Sequence, residues 1–169
     1  MRLLFQRPIL RLIVIALVLV TLQTTLCVEM RPFGVVIDLL VGVAVVTGIC
    51  AGPEAGVMAG FVFGAAIDLL LTTPFGLSGL AYGLAAFLIG LLKSTITMGQ
   101  VWWLTASLVL AGSALGVGLY LVFGALVGQQ GWIRPAMITE IALSAVVAAL
   151  LSPITVRTQR WAMRVERDT

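Results

Sequence analysis

The sequence predicts an all-α integral membrane protein, a single bundle of six transmembrane helices. Three observations carry that reading. The 169 residues are 61% hydrophobic and only 10% charged, where a soluble domain has about 25% charged residues. With a mean hydropathy of +1.17, the chain cannot cover a water-facing surface, so the bilayer is the expected solvent. Apolar runs near the roughly 20 residues that a spanning helix needs recur along the whole length. Basic residues crowd both ends, with Arg2, Arg7 and Arg11 at one and Arg157, Arg160, Arg164 and Arg167 at the other.

The first run, approximately residues 9–28, follows MRLLFQR and has the basic-then-apolar form of a signal peptide. No A-x-A-like cleavage site follows it and the apolar character continues to Val28, so it reads as a retained span. Thr24 and Thr25 precede Cys27 where a lipoprotein site would need leucine and a small residue. EMRPFG leads into the second run, 34–51, and the tight GPE turn divides that from the third, 53–71. TTPFG, KSTITMGQ and GQQGWIRP then introduce runs at 75–93, 101–127 and 134–155. Proline, lacking an N–H and fixed in φ, and glycine, tolerant of a left-handed cap, interrupt helices at these breaks. Connections this short make consecutive helices antiparallel neighbours. A re-entrant hairpin of the second and third runs is the alternative at the Gly52-Pro53 junction. The largely polar tail RTQRWAMRVERDT is expected to lie along the membrane surface or to fray.

Six spans place both termini on one side. With that side cytoplasmic, Lys93 and the basic ends are inside and only Arg31 and Arg134 fall outside, the positive-inside asymmetry. Trp102, Trp103, Trp132 and Trp161 then sit at interfacial levels. The same asymmetry makes a lipid bilayer, and not a nucleic acid, the partner of the basic ends, with anionic lipid a secondary ligand of the C-terminal arginines. A disulfide or metal site is not expected: histidine is absent, and Cys27 and Cys50 fall at opposite ends of their helices.

No catalytic constellation is found. The commonest general base is missing with histidine. Ser78 in GLSGL nearly fits G-x-S-x-G, but the second glycine comes one place early and the segment is a membrane turn. No glycine-rich loop with a following lysine is present to cradle phosphate, and no cofactor is expected.

Two patterns remain. Gly52, Gly56, Gly60 and Gly64 recur every four residues, with Asp68 next in the series. In lipid, close packing and hydrogen bonds drive helix association, and small residues four apart let backbones approach. Run 53–71 therefore reads as a helix buried inside the bundle, with a glycine ridge against a neighbour; Gly112, Gly116, Gly124 and Gly128 suggest run 101–127 as that neighbour. The second pattern is a charged cluster. Asp38, Asp68 and Glu140, with Arg31 and Arg134, are all predicted in the outer half of the bundle. Charges at membrane depth face the bundle interior, pair, or line a wet cavity. One reading is an ion or substrate site; the other is pairing, helix capping and snorkelling to the interface.

The stretch PEAGVMAGFVFGAAIDLLLTTPFGLSGL resembles the signature of the rod-shape-determining MreD family: a Pro/Gly turn, a glycine-spaced helix ending in aspartate, and a Pro-x-Gly turn. Pro53, Gly56, Gly60, Gly64, Asp68, Pro74 and Gly76 occupy those places. RPFGVVIDLLVGVAVVTG, with Asp38, is similar to that family's second hydrophobic segment. The resemblance implies a non-enzymatic inner-membrane subunit of the cell-elongation machinery. Such a subunit associates with MreC and is linked through it to MreB filaments, RodA and a penicillin-binding transpeptidase. It also implies a fold similar to the substrate-binding subunit of energy-coupling-factor transporters. That likeness keeps a vitamin-like binding subunit as an alternative, and an ion-coupled carrier as a third reading.

Overall fold

The computed structural model describes residues 17–21, 23, 25, 38–69, 75–96, 102–128 and 136–163. Among these residues the regular structure is helical, with non-helical or turn residues at helix ends and at Gly52. We label the helices α1 (residues 17–21, the described part), α2 (Leu40–Ala51), α3 (Pro53–Asp68), α4 (Leu77–Thr95), α5 (Trp102–Leu126) and α6 (Ala136–Met163).

The core is built around α2. Every residue from Leu40 to Gly48 is buried, and α2 touches α3, α4, α5 and α6. A helix apolar all round belongs in the interior of an assembly, and the composition of α2 suits that place. Its Val, Ala and Gly side chains are short enough for four neighbours to reach its backbone. Ala148 of α6 sits against Gly42, while Val45 and Val41 fill the space over Gly112 and Gly116 of α5. The buried helix expected at 53–71 is thus corrected. α3 buries one face, through Gly56, Ala59, Gly60, Phe63, Gly64, Ile67 and Asp68, and leaves Val57, Met58, Phe61 and Val62 exposed.

A single residue joins α2 to α3. The Gly52 N–H donates to the Gly48 carbonyl at 3.1 Å, and the Gly52 carbonyl accepts from Gly56 N–H at 3.1 Å. One glycine therefore closes one helix and opens the next. It does so at φ 100° and ψ 168°, a region essentially confined to glycine. Pro53 follows at the first helical position, where a missing N–H costs nothing.

The glycine ridge of α3 meets α4. A Cβ built on Gly60 would lie 2.5 Å from Gly83 N and 2.6 Å from Tyr82 C. One on Gly64 would strike the Ser78–Gly79 backbone, and one on Gly56 would lie 3.1 Å from Ala86 O. Steps of four up α3 are matched by steps of three or four down α4, so the pair is antiparallel and in register. The expected partner is corrected accordingly. α4 supplies the facing small residues Gly79, Gly83 and Gly90, whereas Gly112 and Gly116 of α5 pack on α2. At the Gly52 end three backbones converge: the Cβ position of Gly56 is 2.7 Å from Gly48 Cα, and that of Gly90 is 2.9 Å from Pro53 Cα.

α6 is 28 residues long and continues through Pro153 to Met163. The Thr155 hydroxyl donates to the carbonyls of Leu151 and Ser152, at 3.2 and 3.0 Å, beside the break in the backbone ladder that proline imposes. The first residues of the polar tail thus prolong the sixth helix and do not form a separate surface segment.

Candidate functional site

The end of the bundle opposite Gly52 gathers the start of α2, the end of α3 and the starts of α4 and α6. The first amides of a helix have no intrahelical acceptor and carry the positive end of its dipole. At α2 these amides are satisfied by side chains. Asp38 Oδ1 accepts from Leu40 N–H at 3.1 Å, and Gln23 Oε1 accepts from Leu39 and Leu40 N–H, each at 3.1 Å. The Gln23 amide donates back to Asp38 Oδ1 at 3.1 Å, the Tyr82 hydroxyl donates to Asp38 Oδ2, and the Asp38 N–H donates to Ser144 Oγ at 3.1 Å. Asp38 therefore ties Gln23, α4 and α6 to the head of the central helix.

Asp68, the last residue of α3, is 3% exposed. Its Oδ2 accepts from Gly76 N–H at 2.9 Å and from Ser78 N–H at 3.0 Å. The carboxylate at the end of the glycine ridge thus caps the next helix of the hairpin. Gly76 adopts φ 94° there, which aims its N–H back at α3 and leaves its carbonyl to accept from Leu80 at 2.9 Å.

Glu140 is half-buried, one turn before Ser144 on the same side of α6. Tyr120 of α5 lies beside Ser78 and within electrostatic reach of Asp38, Asp68 and Glu140. Glu140 is also within reach of Asp38. All three carboxylates singled out in the sequence therefore share one end of the bundle. Arg31, Arg134, Pro74 and Cys27 lie outside the described residues. Chemically, the groups that meet here are carboxylates facing backbone amides, an amide side chain and phenols. Such a set fixes helix ends to one another.

The sequence reading missed Gln23, Tyr82, Ser144 and Tyr120 here, and Gly48, Gly79, Gly83 and Gly90 in the seam. A usable signal existed for the seam, since GLSGLAYGLAAFLIG has its own glycines at 76, 79, 83 and 90. For the polar network the only signal was a polar side chain inside an apolar run.

Among the described residues three helices, Leu77–Thr95, Trp102–Leu126 and Ile138–Arg160, are long and apolar enough to cross a membrane. Together with the shorter apolar α2 that they help enclose, they define a helical membrane protein. A family model described as rod shape-determining protein MreD matches residues 4–157, and the chain belongs to the MreD family. Its setting is the inner membrane and its process is rod-shape determination. No curated protein and no solved structure matches the chain.

Proposed function

We propose that this chain is a non-enzymatic scaffold of the rod complex that docks MreC and helps position peptidoglycan synthesis enzymes. In this reading RodA, the penicillin-binding transpeptidase and MreB are reached indirectly. The observation that carries it is the family match over residues 4–157. The packing supports it: the α2–α3–α4 unit is held backbone to backbone by glycines, while α3 leaves Val57, Met58, Phe61 and Val62 exposed. A rigid seam with an apolar outer face is suited to receiving a partner's transmembrane helix.

The proposed topology is six spans with both termini cytoplasmic, in a fold like the substrate-binding subunit of energy-coupling-factor transporters. Charge placement supports the orientation. Lys93 closes α4 at the Gly52 end, and Arg160 of α6 lies beside Cys50 at that same end. Asp38, Asp68 and Glu140 are at the other. Affinity purification of the full chain from native membranes should recover MreC. Gly60→Leu, which drives a branched side chain into the α4 backbone, should abolish that recovery; an intact complex at unchanged yield would refute the packing role. A second reading, a vitamin-like small-molecule subunit, is favoured by the convergence of three carboxylates and Tyr120. It requires that a ligand of that size copurify or raise the melting temperature.

A further inference from the structure

Near its C-terminal end α6 carries an open groove of about 530 Å³, lined among the described residues by Pro153, Ile154, Arg157 and Thr158. These positions form two adjacent i, i+4 columns on one helix face. Pro153 and Ile154 make an apolar floor, and Ile154 is 64% exposed. Arg157 and Thr158 stand one turn, roughly 5.4 Å, beyond them. The apolar stretch Ile138–Arg160 ends in this turn, so the floor falls at acyl-chain level and the rim at headgroup level.

The chemistry of the rim is specific. Arg157 is exposed, and among the described residues neither a hydrogen bond nor an ion pair engages its guanidinium. The neighbouring arginine differs, since Arg160 lies beside Cys50 of α2. The Thr158 hydroxyl donates to the Ile154 carbonyl at 2.8 Å. Its proton is committed, and toward a ligand Oγ1 presents lone pairs only. The rim therefore offers a guanidinium that donates to an anion and, one residue on, an oxygen that accepts from a hydroxyl.

We propose that this groove binds an anionic glycerophospholipid whose headgroup bears a hydroxyl, the chemistry of phosphatidylglycerol. Its phosphate accepts from Arg157, a headgroup hydroxyl donates to Thr158 Oγ1, and an acyl chain lies on Pro153 and Ile154. Guanidinium–phosphate contact is charge-assisted and geometrically suited to paired hydrogen bonds. The site rests on the chain being membrane-embedded and is independent of the scaffold reading, because it needs no protein partner.

The test uses the full-length protein in detergent, with lipid retention measured by native mass spectrometry. Phosphatidylglycerol, phosphatidic acid and phosphatidylcholine are titrated separately. Wild type should retain phosphatidylglycerol over phosphatidylcholine by about fivefold or more, the factor that one basic residue supplies near a lipid surface. Arg157→Gln should remove that preference, whereas Arg160→Gln should keep it. Thr158→Val should erase discrimination between phosphatidylglycerol and phosphatidic acid without restoring phosphatidylcholine. An equal loss in Arg160→Gln would show diffuse surface charge and overturn the groove. Undiminished discrimination in Thr158→Val would overturn the hydroxyl contact. Competition by inorganic phosphate at concentrations comparable to the lipid would reassign the site to a soluble anion. Failure to recover MreC from membranes would bear on the scaffold reading alone.

Discussion

Adding one methyl group at Gly60 tests the seam between α3 and α4 most directly. The new Cβ would lie 2.5 Å from Gly83 N, 2.6 Å from Tyr82 C and 2.7 Å from Gly83 Cα. All three are backbone atoms, so no side chain can rotate away. Optimal carbon–carbon separation is about 3.5–4.0 Å, and relief therefore demands that the helices part by about 1 Å. A gap of 0.5–1 Å forfeits about a quarter to a half of each dispersion well along the opened surface. Overpacking of this kind costs about 1–3 kcal/mol, and Gly60→Ala belongs at the upper end because the obstruction is main chain. At about 2–4 °C per kcal/mol for a chain of this size, the melting temperature should fall by roughly 5–10 °C. Thermal unfolding in detergent followed by tryptophan fluorescence reads this out. The interface contains its own graded series. Across the seam, a Cβ on Gly83 would come no closer than 3.3 Å to Val57 O, and one on Gly118 of α5 meets nothing within 4 Å. Gly83→Ala should therefore be milder than Gly60→Ala, and Gly118→Ala neutral or stabilising through helix propensity. Equal melting temperatures for Gly60→Ala and Gly118→Ala would refute the close-packing argument.

Asp68→Ala should lower stability by about 1.5–3 kcal/mol through loss of charge-assisted bonds to the buried Ser78 amide and the partly buried Gly76 amide. Asp68→Asn, which keeps a carbonyl oxygen for Gly76 and Ser78, should recover much of that in the same unfolding assay; an Asn variant as unstable as Ala would show that charge, not capping, matters. Gly52→Ala has open space around it yet must hold φ near 100°, so a cost of about 1–3 kcal/mol is expected from backbone strain alone. An unchanged melting temperature would refute that. Tyr82→Phe removes the phenol donor to Asp38 and should cost about 1–3 kcal/mol. It should also speed hydrogen exchange at the Leu39 and Leu40 amides, while exchange at Gly76 and Ser78 stays unchanged.

Much of this architecture was legible because glycine and proline report directly on backbone. The Gly52 turn, Pro53 at a helix start and the ridge of α3 follow from what those residues alone can do. The identity of the central helix was not legible. α2 and the lipid-facing surfaces are both apolar all round, and hydropathy cannot separate a protein interior from a lipid interior. Residue size does separate them: Val, Ala and Gly dominate α2, while Met58, Phe61, Leu69, Leu80 and Trp102 point outward. The facing glycines of α4, at 76, 79, 83 and 90, are less evenly spaced than those of α3 and make a weaker pattern in the sequence. The grouping of Asp38, Asp68 and Glu140 at one end followed from their positions in the runs, but their hydrogen-bond partners did not. Ser144 is 106 residues from Asp38, and no local pattern links positions so far apart.

The bond between Asp38 and Ser144 bears on how the chain is assembled during synthesis. Helices α2, α3 and α4 meet through Gly48, Gly56, Gly60, Gly64, Gly79, Gly83 and Gly90, whose close contacts all fall within these three helices, so this unit can close while the remainder is still being translated. The Asp38 amide, however, meets the Ser144 hydroxyl only after α6 has been made and inserted. Until then the head of the central helix retains a polar valence that water or an insertion factor must satisfy. A truncated product ending after α4 or α5 would carry that unsatisfied group at the membrane surface, a physical mark by which unfinished chains differ from finished ones.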